Sequence, residues 1–353
     1  MKTYINGIGC VSAQQTFEGE FAATFATNES LNVLPIVAPP YKDYFSPIAA
    51  RRMSKAVKNG IVASTIALKE AKLQMPGAII TGTGMGCIED SDKFLKAIID
   101  NKEEFLTPTS FIQSTHNTVA AQIALGLQCK AYNFTYVNAA VSFESALLDG
   151  KLQIEEGEAN SVLIGGIDEM TDYTASLFKL AAFIKKDEEG NFPMLGSKTS
   201  GTVFGEGAAF FVLENQKSDS TYAEVKDVEI NNEIAAEILQ LKAFDFLAAN
   251  NLTVADIDLL VTGINGDAQF NNYYEELTQK QFAGTPQVYY KHLSGEYNTA
   301  SAFGLYVGAN IIRSQQIPDI LKSNDQSRPA YKNILLYNQY RGLDHSFTLI
   351  SQA

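Results

Sequence analysis

The sequence predicts an α/β fold in which parallel strands are joined by crossover helices. Short apolar runs that end in glycine, such as Ala78 to Gly84 and Ser161 to Gly166, predict buried strands. Stretches with apolar residues at helical spacing, such as Arg51 to Leu73, alternate with them and predict helices. The chain has 353 residues, more than the roughly 250 to 300 that one hydrophobic core usually supports, so we expect two units.

A polar stretch from Asn215 to Thr221 predicts the seam between these units. A second cycle of strands and helices follows it, so we expect an N-terminal half at residues 1–215 and a C-terminal half at residues 222–353. The remaining predicted strands are 4–9, 208–214, 222–225, 257–262, 333–337 and 346–350, and the remaining helices are 117–127, 233–250 and 300–313.

The charge of the chain limits its partners. With 27 Lys and Arg against 40 Asp and Glu, the net charge is -13, which argues against nucleic-acid binding because that function concentrates positive charge. The same acidity is a weak match for an acidic carrier protein. Any such carrier is therefore expected to dock mainly on a partner of this chain.

The cysteine content and the N-terminus favour the cytoplasm. Three cysteines with no CxxC pair fit a reducing compartment better than a disulfide framework. The N-terminus has no apolar stretch long enough for a signal peptide, and no segment approaches the ~20 apolar residues of a membrane span. No metal-ligand spacing, phosphate loop or dinucleotide fingerprint occurs, so we expect no metal and no cofactor.

The segment from Phe204 to Ala208 joins two glycines and a glutamate to the start of an apolar strand. Alone it is a weak signal, because the glycines could simply permit a tight turn while Glu206 accepts backbone hydrogen bonds. Five further short segments of similar character share the chain with it, all at the predicted ends of strands or helices. They are Asn6 to Gly9, Arg51 to Ser54, Ile80 to Gly86, Ile164 to Glu169 and Lys291 to Gly295.

Taken in this order, the six segments resemble the β-ketoacyl synthase family of fatty-acid and type II polyketide systems over nearly the whole chain. The resemblance implies a thiolase-like fold, in which two related α/β halves form a layered α-β-α-β-α architecture. It also implies a Cys-His-His triad, in which a thiolate at a helix N-terminus accepts the acyl chain and two histidines assist decarboxylation and stabilise the oxyanion.

The matched positions in this chain carry none of the three triad residues. Ala140 stands in the segment Asn138 to Val141 where the family has its nucleophilic cysteine, and a methyl group cannot form a thioester. Asn265 replaces the first histidine and cannot shuttle a proton near neutral pH. Glu296 replaces the second histidine, and its carboxylate would repel a developing oxyanion.

Two further positions of the family site can be located. Lys291, which precedes the second histidine position in the family's KxxxG element, is retained. The closing gate loop matches Arg341 to Asp344, so Gly342 stands where the family has a gatekeeping phenylalanine. The family's frame is therefore kept while its catalytic groups are replaced.

Other residues could supply a nucleophile, and each has a plainer interpretation. Ser142 lies two residues after Ala140, but a serine needs a base and the matched positions offer none. The cysteines Cys10, Cys87 and Cys129 are expected to be small buried hydrophobes.

The three histidines do not stand at the matched triad positions. His116 precedes a helix, His292 follows Lys291, and His345 lies in the final loop. We expect His292 to be a surface histidine or one whose hydrogen bonds are satisfied within its loop.

A synthase frame without its triad resembles the chain-length-factor class of ketosynthase-like subunits. The resemblance implies a non-catalytic subunit that pairs with an active ketosynthase, shapes its acyl tunnel and meets acyl-carrier protein through that partner. The short length of the chain resembles that of ketosynthase-like subunits from aryl-polyene and flexirubin-type pigment clusters. An acyltransferase with a non-standard nucleophile and a homodimeric acyl-binding scaffold remain alternatives.

The segment Thr107 to Thr115 resembles the stretch that reaches the partner's acyl tunnel in the family. Phe111, Ile112 and Gln113 are therefore candidate tunnel or interface residues. The alternative is that Phe111 and Ile112 are ordinary core residues.

Overall fold

The computed structural model describes residues 1–353 as ten strands and eleven α-helices. The strands are Thr3–Val11 (β1), Ala78–Gly82 (β2), Tyr132–Tyr136 (β3), Ser161–Asp168 (β4), Gly207–Glu214 (β5), Ala223–Asn232 (β6), Leu259–Thr262 (β7), Gln287–Tyr289 (β8), Asn333–Tyr340 (β9) and Asp344–Ser351 (β10). The helices are Pro47–Ala50 (α1), Lys55–Glu70 (α2), Ile88–Asp100 (α3), Pro108–Gln113 (α4), Thr118–Leu127 (α5), Ser142–Glu155 (α6), Asp172–Leu180 (α7), Ala236–Ala249 (α8), Asn271–Glu275 (α9), Lys291–Ser294 (α10) and Ser301–Ser314 (α11).

The strand order repeats itself. The first half has the order β3-β2-β4-β5-β1, and the second half has β8-β7-β9-β10-β6, which is the same order of first to fifth strands. In each half the second strand lies parallel to the third and fourth, and the fifth runs antiparallel to the fourth and first. The halves join where β1 pairs antiparallel with β6. This repeat supports a division at residues 1–215 and 222–353.

Two equivalent helices, α6 and α11, lie between the halves. Each follows the third strand of its half and packs against strands of both halves. The largest hydrophobic core surrounds them and takes Ile164 and Phe211 from the first half and Val261 and Ile334 from the second. The outer layers are α2 and α5 on the first half and α8 and α9 on the second. The α-β-α-β-α layering and the α/β fold class predicted from the sequence are confirmed.

The predicted elements are mostly present, with different bounds. Helix α2 begins at Lys55 and not at Arg51, because the Ser54 side chain caps it by accepting the Val57 N–H. The apolar patterns predict neither β3 nor β8, and of the longer helices they do not predict α3, α6 and α7. His345 lies in β10 and not in a loop. None of the helices combines the length and apolar character needed to cross a bilayer.

Asp168, at the end of β4, holds three segments together. One carboxylate oxygen accepts hydrogen bonds from the Thr83 hydroxyl and the Gly84 and Met85 N–H groups of the turn after β2. The other oxygen accepts the N–H and hydroxyl of Thr299, just before α11. This buried carboxylate thus ties the first half to the central helix of the second half.

The neighbouring Glu169 caps two helices at once. Its carboxylate accepts the Ala56 N–H in the first turn of α2 and the Glu89 N–H, 2.9 Å away, in the first turn of α3. Negative charge is stabilised at helix N-termini. Burial nevertheless dominates and raises the pKa of Glu169 to about 7.

The pKa of Glu169 predicts a pH dependence of stability. Because the folded-state pKa is raised above the ordinary value of 4.5, the folded state binds more protons than the unfolded state between these values. The contribution of Glu169 is therefore fully present below pH 4.5 and is lost as pH rises through about 7, a change of about 3 kcal/mol. Urea unfolding of the wild type and Glu169→Gln from pH 5 to 8 measures it. Equal slopes in the two proteins would contradict the assignment.

Candidate functional site

Lys291, Glu296 and Asn265 form one buried cluster. The Lys291 Nζ donates to Glu296 Oε2 at 2.6 Å, and the Asn265 Nδ2 donates to the same oxygen at 2.7 Å. The side chains of Lys291 and Glu296 are 0% and 2% exposed. The two residues predicted to stand at the family's histidine positions therefore meet at one carboxylate, which pairs with Lys291.

The backbone around this cluster joins the two halves. The Gly205 N–H donates to the Glu296 carbonyl at 2.9 Å, and the Glu296 N–H donates to the Val203 carbonyl at 2.8 Å. The Thr202 hydroxyl donates to the Asn265 carbonyl at 2.6 Å. The segment before β5 is thus held against the loops that carry Asn265 and Glu296.

Gly205, the first of the two glycines in the segment from Phe204 to Ala208, permits close packing and does not adopt a left-handed conformation. Gly205 has no positive φ, but a Cβ atom there would lie 2.1 Å from the Ser294 carbonyl oxygen. Glu206 accepts the Met170 N–H at 3.0 Å, as the plainer interpretation predicted, and also pairs with Lys55 at 2.9 Å. This segment therefore has a structural role.

Ala140 lies in a sharp turn before α6. It is buried in a single 3₁₀ turn, Ala139–Val141, and Ala139 has a φ of 44°, which is uncommon for a non-glycine residue. The position predicted to match the family's nucleophile therefore lies in a sharp turn, with a methyl group as its side chain.

The Ser142 hydroxyl is fully committed to this turn. It donates to the Ala139 carbonyl at 2.7 Å and accepts the Asn138 N–H at 2.8 Å, and the residue is completely buried. A serine nucleophile needs an accessible oxygen and a neighbouring base. Ser142 has neither, so its role is to fix the turn.

The cysteines are not activated. Cys10 and Cys87 are buried as expected, and burial raises the pKa of each thiol to about 12. Cys129 is partly buried and packs at the edge of the outer core of the first half. No group of three or more His, Cys, Asp or Glu side chains could hold a metal ion.

Two histidines are buried. His292 Nε2 contacts the Ile320 carbonyl at 2.8 Å, its ring stacks on Tyr289, and burial lowers its pKa to about 4. His345 Nδ1 lies 3.0 Å from the Tyr337 hydroxyl. Neither expected interpretation of His292 is correct, because the residue is buried, its hydrogen-bond partner lies 28 residues away in the chain and its Nδ1 has no partner.

The loop matched to the family's gate is the tight turn between β9 and β10. Arg341 and Gly342 both have positive φ, 54° and 67°. A Cβ at Gly342 would lie 2.8 Å from the Tyr273 hydroxyl, so a phenylalanine does not fit there without rearrangement. The Arg341 guanidinium instead stacks over the Phe183 ring at 4.0 Å.

Phe111, Ile112 and Gln113 lie on the short helix α4, away from the core. Phe111 is 56% exposed and Ile112 is 61% exposed, so the alternative that they are core residues is wrong. The Phe111 ring contacts Phe94 of α3, with ring centroids 5.2 Å apart. Gln113 is partly buried. The structure leaves this helix available to a partner.

Two carboxylates near the Ala140 turn were not singled out from the sequence. Glu144, one helical turn further along α6, is buried and accepts the Ser346 hydroxyl at 2.7 Å. Burial raises the pKa of Asp344, while the Ala140 N–H beside it opposes the rise. Burial, together with the carboxylates of Glu296 and Asp344, raises the pKa of the Tyr340 hydroxyl.

Comparison with known proteins identifies the family. The family described as beta-ketoacyl synthase, N-terminal domain, matches residues 27–219, which is more than half of the chain. The chain therefore belongs to the β-ketoacyl synthase family. A 3-oxoacyl-[acyl-carrier-protein] synthase 2 of Staphylococcus aureus (strain N315) is 22% identical over 186 residues, which cover 50% of this chain and 45% of that protein. The match thus spans about half the length of the curated relatives.

Solved structures show the fold over the full length. The ishigamide ketosynthase/chain length factor superposes with a TM-score of 0.83 at 17% identity and covers 100% of this chain and 99% of that one. A beta-ketoacyl synthase from Burkholderia phymatum STM815 gives 0.79 at 17%, covering 100% and 99%. A ketosynthase in complex with its chain length factor from Xenorhabdus doucetiae gives 0.75 at 13%, covering 100% and 98%.

We predict that removing one charge of the buried pair strongly lowers the free energy of unfolding, whereas removing both charges lowers it much less. Glu296→Gln leaves Lys291 buried without its counter-charge and should cost about 3 to 5 kcal/mol, and the double variant Lys291→Met with Glu296→Leu should recover most of that loss. Lys280→Ala, which removes an exposed pair with Glu276, is the control and should cost less than about 1 kcal/mol. Urea unfolding measures all three variants. Equal costs for Glu296→Gln and Lys280→Ala would contradict the prediction.

Proposed function

We propose that this chain is a non-catalytic, chain-length-factor-like subunit that pairs with an active β-ketoacyl-acyl-carrier-protein synthase. In this proposal it shapes the acyl tunnel of its partner during fatty-acid or polyketide-type chain elongation, in the cytoplasm. The observation that carries the proposal is the buried cluster of Lys291, Glu296 and Asn265. With Ala140 at the nucleophile position, the proposed site has no nucleophile there, and a carboxylate stands where an oxyanion would form.

The surface of the first half supports a partner. Strand β3 is an edge strand that pairs with β2 alone, and Tyr132 and Phe134 on it are each about half exposed and stack with ring centroids 6.2 Å apart. An edge strand with exposed aromatic residues is a favourable place for another chain to bind. Leu125 and Val137 add exposed apolar surface nearby in the sequence. Together with helix α4, this edge provides an apolar face suited to a subunit interface.

Several known structures support the finer assignment by analogy of fold. Two of the similar structures contain a ketosynthase and a chain length factor, and a third is a type II ketosynthase in complex with its acyl-carrier protein. The net charge of -13 favours carrier docking on the partner and not on this chain. A role in aryl-polyene or flexirubin-type pigment synthesis is the narrower form of the proposal.

An enzyme with a non-standard nucleophile is the second candidate, and the geometry disfavours it. The Ser142 hydroxyl is engaged in two local hydrogen bonds, and burial raises the thiol pKa of Cys10 and Cys87. A homodimeric acyl-binding scaffold would use the same apolar face. It is distinguished by what the chain associates with.

We predict that the chain alone forms no acyl adduct and that it forms a heterodimer with an intact ketosynthase. Intact-mass spectrometry after incubation with acyl-CoA, acyl-carrier protein or cerulenin should show the unmodified mass, because no thiolate stands at the Ala140 turn. Co-expression with a ketosynthase carrying Cys-His-His should give a one-to-one complex by size-exclusion chromatography. An acyl increment mapped to Ser142 or Cys87, or a homodimer that excludes the ketosynthase, would overturn the proposal.

A separate prediction concerns helix α4. Because Phe111 is more than half exposed, Phe111→Ala should lower the free energy of unfolding by well under the ~3 to 5 kcal/mol typical of a buried phenylalanine. If its ring lines the partner's tunnel, the product distribution of the co-expressed complex should shift in chain length. The control is Leu241→Ala, an exposed residue on α8 in the outer layer of the second half. Unchanged products, or products changed equally by the control, would remove α4 from the proposed site.

A further inference from the structure

Strand β10 contacts the Ala139–Val141 turn that precedes α6, and one hydrogen bond joins the strand to the helix itself. The Ser346 hydroxyl donates to Glu144 Oε1 at 2.7 Å, and both residues are buried. Two residues earlier, about 6.6 Å along the strand, the next side chain on the same face is that of Asp344. Four residues before Glu144, in the 3₁₀ turn that leads into α6, lies Ala140. Because Ser346 faces α6 and β10 contacts this turn, Asp344 lies on the face of the strand that meets the Ala140 turn.

The causes of the pKa shift of Asp344 agree with this placement of its side chain. The Ala140 N–H lies beside the Asp344 carboxyl and opposes the rise in its pKa that burial causes. The turn leads directly into the 14-residue helix α6, whose N-terminus carries positive partial charge. A helix N-terminus is where a thiolate or an oxyanion would otherwise be stabilised. Here a carboxylate of the same chain already lies there.

The charges around Asp344 leave its carboxylate without a counter-ion. Arg341 forms no ion pair with it and stacks on Phe183. Lys291 is paired with Glu296. The other ionisable groups near the turn are acidic or neutral, namely Glu144, Glu296, Asp267 and the Tyr340 hydroxyl. His345, the neighbour of Asp344, contacts Tyr337.

We infer that Asp344 fills the anion-binding end of α6 and makes the Ala140 turn reject negative charge. Asp344 would thus exclude an acyl oxyanion or a thiolate independently of the missing cysteine. This inference deepens the proposed non-catalytic function and rests on it, since it gives a second reason why the site is inert. It also implies that Ala140→Cys alone yields a thiol that is hard to ionise.

The test measures the thiol pKa in Ala140→Cys with and without Asp344. Proteins labelled with carbon-13 cysteine are titrated by NMR, and the new Cβ signal is identified against the wild type. In Ala140→Cys we expect a thiol pKa above the ordinary value of ~8.5. In Ala140→Cys with Asp344→Asn we expect it to fall by about one pH unit or more, which is about a tenfold gain in thiolate.

Two controls make the result specific. Ala140→Cys with Asp245→Asn removes an exposed carboxylate on α8 and should leave the thiol pKa unchanged. Asp344→Ser replaces Asp344→Asn if that variant does not fold. Equal thiol pKa values with and without Asp344 would overturn the inference. The measurement needs no partner, so that result would leave the pairing proposal standing, whereas loss of pairing would leave this one standing.

Discussion

The buried ion pair between Lys291 and Glu296 is the interaction on which the site depends. Neither charge is accessible to water, so each is tolerable in the interior only because the other is there, 2.6 Å away. The pair lies at the junction of the halves, where the backbone of Glu296 bonds to Val203 and Gly205 of the first half. Asn265 adds a third contact from a separate loop. A catalytic histidine at position 296 would leave the lysine without this partner, so the replacements are consistent with one another.

In the segments that resemble the family motifs, the buried carboxylates and a glycine stabilise the fold. Asp168 fixes the turn after β2 to the start of α11, Glu169 caps α2 and α3, and Glu206 joins the start of β5 to Lys55. Each is a buried carboxylate whose desolvation is offset by backbone N–H groups or by a lysine. Gly205 lets the loops approach closely. These buried contacts hold together the fold of the family in this chain.

The sequence allows the layers and the site to be predicted, but not every contact. Strands such as β4 are buried along their whole length and appear as continuous apolar runs, whereas β3 is an exposed edge with alternating aromatic and polar residues and gives a weak signal. Asn265 and Glu296 could be located from neighbouring motifs. Their shared contact with Lys291 depends on the fold of three separate segments, which no local pattern records. The position of Asp344 depends on the contact between β10 and the turn before α6, which the sequence pattern does not reveal.

The balance of charge bears on which partner the apolar face would accept. Two copies of this chain would each bring a net charge of -13 to a shared interface, and like charge disfavours close association. The exposed side chains on β3 and on α4 are largely apolar and aromatic, so burying them against a complementary surface is favourable. Electrostatics therefore decides between partners that the hydrophobic effect alone does not distinguish. If the proposed pairing holds, a less acidic ketosynthase would be favoured over a second copy, and this preference would weaken as salt screens the charges.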